Sequence, residues 1–200
     1  MLLRLLKWLV MLLVLLGAVA LFAIWYVGAW NLVFPNRSHD TEPPTLPAQL
    51  SGPAMMVFSK TNGFRHSEGI RGAANLLDEL AAKHGWGIFH TENGAVFNAG
   101  DLERFQVVIF SNASGDMLSA EQEAAFQTWL EAGGSWLGIH AAGDDSHLEW
   151  QWYRDNLIGA DFTAHIMDPQ FQFADVVVEQ PDHPAMQGLP PKWQHEEEWY

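Results

Sequence analysis

Residues 106–140, QVVIFSNASGDMLSAEQEAAFQTWLEAGGSWLGIH, decide the fold. QVVIFSN (106–112) is a short continuous apolar run, which suits a strand buried on both faces. Ser119 and Gln122 stand three apart, as in a capping box, and open a helix through Ala132. Gly133-Gly134 stops it, and SWLGI (135–139) is the next strand. His140 closes that strand where small residues follow. Hydrolases that cut with a hydroxyl place their nucleophile at such a strand-to-helix turn. Here the position holds an imidazole.

The same grammar extends outward. AMMVFSK (54–60) reads as a strand and TNGFRH as the loop after it. From Ser67, apolar residues at Ile70, Ala73, Ala74, Leu77, Leu80 and Ala81 keep helical spacing until Gly85. WGIFHT (86–91) is another strand, and FADVVVEQ (173–180) is a later one, in an insertion or at an edge. Strands alternating with helices of about 12 to 18 residues predict an α/β parallel sheet covered on both faces. Ligands bind beyond the carboxyl ends of such strands. The rule gathers loops 60–66, 91–98, 111–118 and 140–147, and with them His66, Asn112, His140, Asp144 and Asp145.

Residues 1–30 differ from the rest. Trp8 to Trp30 carry no charge and, as a helix, span roughly 35 Å, enough for a bilayer core. Arg4 and Lys7 precede the run, and Trp25, Tyr26 and Trp30 end it. The pattern predicts a single-pass anchor with a cytoplasmic N-terminus and an extracytoplasmic domain. The competing reading is a signal peptide cleaved near Ala18-Val19-Ala20, although the apolar run continues past that point. Residues 31–53 are Pro-rich and aperiodic, which predicts a semi-extended linker. Residues 54–200 form the globular domain.

The chain holds 10 Lys plus Arg against 24 Asp plus Glu, which argues against a nucleic-acid partner. It holds no Cys, so disulfides, zinc thiolates and thiol catalysis are excluded.

MMVFSKTNGFRHSEGI (55–70), VVIFSNASGDMLSAEQEAAFQTWLEAGGSWLGIHAAGD (107–144), WYRDNLIGADFTAHI (152–166), DHPAMQGLP (182–190) and EEEWY (196–200) together resemble the ThuA-like, trehalose-utilisation family. The resemblance runs from Ala54 to Tyr200 in order. It implies a class I glutamine-amidotransferase-like fold, a flavodoxin-like doubly wound parallel sheet, and a link to disaccharide or keto-sugar metabolism. Domains of this family continue past EEWY, so the resemblance predicts further strands beyond Tyr200. A membrane anchor is not a general feature of the family. In amidotransferase relatives the turn after this strand carries a nucleophilic Cys. His140 stands there instead, which excludes glutamine amidotransfer for want of a thiolate.

An imidazole transfers protons near neutral pH or ligates a metal. His66, His140 and His165 are candidate ligands of a divalent metal such as zinc. The candidate catalytic set is His140 as base, Asp144 as its orienting partner, His66 and Glu197, with Glu198 a further carboxylate. Each has a plainer reading: His140 as a packed histidine at a strand end, Asp144 or Asp145 as a helix cap. Arg65 is either a bidentate clamp on a substrate or a salt bridge that orders its loop. Asn112, Phe64, Trp199 and Tyr200 complete the candidate substrate site, the aromatic rings as sugar-stacking faces or as core. No nucleotide cofactor is expected. Three functions remain: an enzyme acting on a sugar or keto-sugar by acid–base or metal-assisted chemistry, a non-catalytic carbohydrate-binding or sensing domain, and a structural or partner-binding remnant.

Overall fold

The computed structural model describes residues 1–50, 52–144, 147 and 149–199. The chain divides into two compact units, Met1–Ala160 and Asp161–Tyr200.

The first unit opens with α1 (Leu2–Tyr26), which buries no residue against the remainder. It is long and apolar enough to cross a membrane, and near an N-terminus such a helix serves as a span or as a signal sequence. A one-turn helix, α2 (Trp30–Val33), follows. Then come β1 (Ala54–Phe58), α3 (Ser67–His84), β2 (Gly87–Thr91), α4 (Ala99–Leu102), β3 (Val107–Ser111), α5 (Ala120–Glu131) and β4 (Ser135–Ile139). The four strands form one parallel sheet in the order β2-β1-β3-β4.

Strand periodicity builds two cores. Met56, Phe58, Val108 and Phe110 join one cluster with Phe126 of α5, Phe97, Trp150 and Tyr153. Met55, Val57 and Ile109 join the other with Leu77 of α3. Ser119 and Gln122 make the capping box that starts α5, and Gly85, at φ 69°, ends α3 in the left-handed conformation that glycine tolerates.

The expected alternation fails between β2 and β3. In place of a long helix there is a single 3₁₀ turn, Gly94–Val96, followed by α4. Asn93 and Asn98 each turn a side-chain oxygen onto a nearby backbone N–H, of Ala95 and Asp101 respectively. Each bond starts a new turn and breaks the run into short pieces. The segment still buries Val96, Phe97, Leu102 and Phe105. After β4 the chain makes a 3₁₀ turn, His140–Gly143, then α6 (Gln151–Tyr153), which widens into a π-turn at Arg154–Ile158.

Residues 35–50 have no helix or strand, as expected of a linker, but they are strapped to the domain. Lys60 Nζ donates to Asp40 Oδ2 at 2.5 Å, and Gly94 N donates to the same oxygen at 2.8 Å. Gln122 donates to the Asp40 carbonyl, Asn93 to that of Glu42 and Arg104 to that of Pro47. Leu46 and Leu50 pack on the larger core. Burial works to raise the Asp40 pKa, but the Lys60 ammonium and the Gly94 N–H outweigh it and hold the carboxyl below its ordinary value.

The second unit pairs β5 (Gln172–Val177) with β6 (Lys192–Glu197) as an antiparallel ribbon, Gln172 opposite Glu197. The strand expected at 173–180 is therefore not an edge of the parallel sheet. It lies at 172–177 in a sheet of its own.

The loops after β1 and β3 are zipped together. Asn62 N and Gly63 N donate to Ser114 O, and Ser114 N donates back to Lys60 O. Gly115 sits in this zipper at φ 78°, where an added Cβ would lie 2.5 Å from the Asn62 carbonyl carbon. Gly115→Ala should therefore cost about 2 to 4 kcal/mol through clash and backbone strain, read as a lower urea midpoint for the full chain.

Candidate functional site

β3 and β4 run side by side, and the residue after each takes a left-handed backbone. Asn112 has φ 54° and His140 has φ 52°. Asn and His are among the few non-glycine types that tolerate this region. Ser111 pairs with Ile139, so the two residues leave the sheet in register, and Asn112 N donates to Ile139 O at 3.1 Å.

His66, at the N-cap position of α3, lies beside them. Its ring meets the His140 ring edge-on, centroids 4.4 Å apart, and Phe64 stacks obliquely on His66 at 4.7 Å. His140 is exposed and His66 half-buried, so the pair is open to a ligand. Asn112 is buried against Gly69 in the first turn of α3, where an added Cβ would meet the Asn112 amide at 3.2 Å. Its Oδ1, like the neighbouring Ser111 Oγ, is buried without a hydrogen-bond partner among the described residues. An acceptor left unpaired in the interior is costly, and such groups collect at working sites.

Arg65 is already engaged. It donates to both carboxylate oxygens of Glu92, at 3.1 and 2.7 Å, and to Thr61 Oγ1 at 3.0 Å. This is the loop-ordering arrangement, and an Arg65 that clamped a substrate would have to leave Glu92. Glu92 was not among the sequence candidates, although an acid in one strand-end loop beside an arginine in the next was the available signal. Lys60 was also missed, because its partner Asp40 lies in the segment read as linker.

Asp144 is expected to orient His140. Another histidine also lies near it: Asp144 Oδ1 is 3.8 Å from Nε2 of His147. The sequence reading passed over His147. It is buried, and its Nε2 lies 3.1 Å from Ala113 O and 3.3 Å from Ala141 O. Two carbonyls require that nitrogen to carry the proton and donate. Burial, the largest influence, lowers the His147 pKa and favours the neutral ring despite the nearby Asp144 carboxylate. His147 therefore ties the loop after β4 to the loop after β3. Tyr153 does similar work: its buried hydroxyl donates to Ala142 O at 2.7 Å, and burial raises its pKa.

His165, Glu197, Glu198 and Trp199 belong to the second unit. There, Glu197 Oε2 is 3.6 Å from His195 Nε2, Trp199 Nε1 donates to Gln172 O, and Gln170 donates to Glu198. Asp145 and Tyr200 lie outside the described residues. A catalytic zinc takes three protein ligands. Among the described residues no group of three or more His, Asp or Glu converges, so His66 and His140 do not by themselves fit a metal centre.

A small pocket of about 270 Å³ near the loop after β3 contains Asp116, Glu123 and Glu149. Burial, with the Asp116 charge as a lesser cause, pushes Glu123 up to about 7 from 4.5. A raised carboxyl contributes stability that is fully present below pH 4.5 and is lost as pH rises through about 7. Glu123→Gln should flatten that dependence and stabilise the chain at pH 8. The effect is about 1 kcal/mol after solvent screening of this half-exposed group, read from thermal unfolding at pH 5 and pH 8.

Comparison with known proteins agrees with this architecture. A ThuA-like protein from Bacteroides uniformis, solved by crystallography, superposes with a TM-score of 0.63 at 23% identity. The alignment covers 80% of this chain and 64% of that one, and the likeness concerns the fold. No curated protein matches the chain. The ThuA family model, described as trehalose utilisation, matches residues 54–200. That span takes in every strand from β1 to β6, and the chain belongs to the ThuA family.

Proposed function

We propose that this is a membrane-anchored enzyme acting on a sugar or keto-sugar, with His66 and His140 as a proton-transferring pair. The observation that carries the reading is the edge-on meeting of the two rings at the carboxyl end of the sheet. One imidazole takes a proton from a sugar hydroxyl or from the carbon beside a carbonyl, and the other returns one to oxygen. The unpaired Asn112 Oδ1 offers an acceptor for a substrate hydroxyl. The family description, trehalose utilisation, directs the substrate search to disaccharides and their keto forms. The same reading places the N-terminus in the cytoplasm and the domain outside.

The test is the double variant His66→Ala/His140→Ala, assayed on a panel of disaccharides and keto-sugars with binding measured in parallel. The expected result is loss of turnover with sugar affinity kept within about tenfold. A wild-type chain that binds a sugar and never converts it would instead establish a non-catalytic carbohydrate-binding domain. Elemental analysis belongs beside this assay. One equivalent of a transition metal, lost in the double variant, would recast the two histidines as metal ligands.

A further inference from the structure

The end of α1 is built into the approach to the histidine pair. Gly28, buried and at φ 83°, accepts a hydrogen bond at its carbonyl from Arg65 N at 2.9 Å. A Cβ on Gly28 would collide with the Arg65 carbonyl oxygen, so only glycine allows this approach. Asn31 Nδ2 donates to Thr61 O at 2.7 Å. The helix end therefore grips the loop that delivers His66. The strap at Asp40 holds the next stretch of chain against the same domain.

Between helix end and loop lies a pocket of about 830 Å³. Its walls differ in character. On one side stand Trp25, Tyr26 and Trp30, aromatic residues of the kind that sit at a bilayer surface. On the other stand Thr61, Arg65, His66 and Glu92. The cations on that side are matched by acids: Lys60 pairs with Asp40 and Arg65 with Glu92. Such a wall offers hydrogen bonds without surplus positive charge, which favours an uncharged, hydroxyl-rich group over a phosphate.

We infer that this pocket is an interfacial site for the sugar head of a neutral glycolipid, with the lipid chains beside α1 and the head directed towards His66. The inference rests on the carbohydrate-active reading above and adds that the sugar arrives from the bilayer.

The chain has no cysteine, so one introduced thiol labels a single place. Glu68→Cys puts a fluorophore on the exposed pocket rim. Glu131→Cys puts one at the end of α5, at the opposite edge of the sheet. Both full-length variants are placed in phosphatidylcholine nanodiscs, some carrying nitroxide on the lipid headgroup. The expected result is at least twofold quenching of the Glu68→Cys label and little change for the Glu131→Cys label. Absence of rim quenching overturns the interfacial placement, whatever the sugar. Without nitroxide, diglucosyl diacylglycerol in the disc and free maltose in solution are then titrated against the Glu68→Cys label. A response to the glycolipid at a concentration at least tenfold below that for maltose supports the inference. A response to maltose at equal or lower concentration overturns it and leaves the carbohydrate reading standing. Rim quenching with no response to either sugar overturns both.

Discussion

Replacing His140 by asparagine should leave the fold intact and reduce turnover by about 10²- to 10⁴-fold, the usual contribution of a positioned acid–base group. The choice of variant matters. His140 sits at φ 52°, where alanine adds backbone strain of about 1 kcal/mol and asparagine is tolerated. The side chain is exposed, so its loss opens no cavity in the core. A fall in kcat with little change in KM, at unchanged thermal stability, would mark a group used in the transition state. Turnover within a few-fold of wild type would remove His140 from the chemistry and leave it a residue chosen for its turn.

Phe110→Ala should destabilise the first unit by about 3 to 5 kcal/mol. Phe110 is fully buried in the centre of the parallel sheet. Its ring lies 5.2 Å from Phe126, 5.5 Å from Phe58, 5.7 Å from Tyr153 and 5.8 Å from Phe97, centroid to centroid. Those neighbours come from a strand, a loop and two helices, so no single element can shift to fill the void. Against a total stability of about 5 to 15 kcal/mol, the loss brings the domain close to unfolding at 37 °C. Urea denaturation of the full chain would show it, with Phe110→Leu as the milder comparison. A change under 1 kcal/mol would mean that the aromatic cluster is not the core it is taken to be. Phe110 is followed at once by Ser111 and Asn112, so the same substitution should also loosen the site.

How much was legible beforehand depended on range. Four short apolar runs, the Ser119–Gln122 cap and the glycines at 85 and 133–134 are local signals. They act within one turn of chain, and the strands and both long helices appear where those signals place them. The piece between β2 and β3 carried no such signal: two asparagine side chains set its short turns, and composition alone does not show which bond wins. The docking of the linker was not legible either. The prolines of residues 35–50 disfavour helix and strand, but not docking, and Asp40 finds Lys60 only once the sheet has brought loop 59–66 within reach.

The sequence by itself determined a parallel α/β domain of the ThuA family behind an apolar N-terminal helix, and it placed His66, Asn112 and His140 at one edge of the sheet. The family follows from the ordered motifs between Ala54 and Tyr200, and the rest from period, length and strand direction. Tertiary structure alone decided the contacts at that edge: His66 against His140, Arg65 spent on Glu92, Asp144 near His147, and Gly28 pressed on the loop that carries His66. Most of these contacts join residues 27 to 74 positions apart. They depend on where a few side chains point after the backbone has closed, and no pattern along the chain encodes that direction.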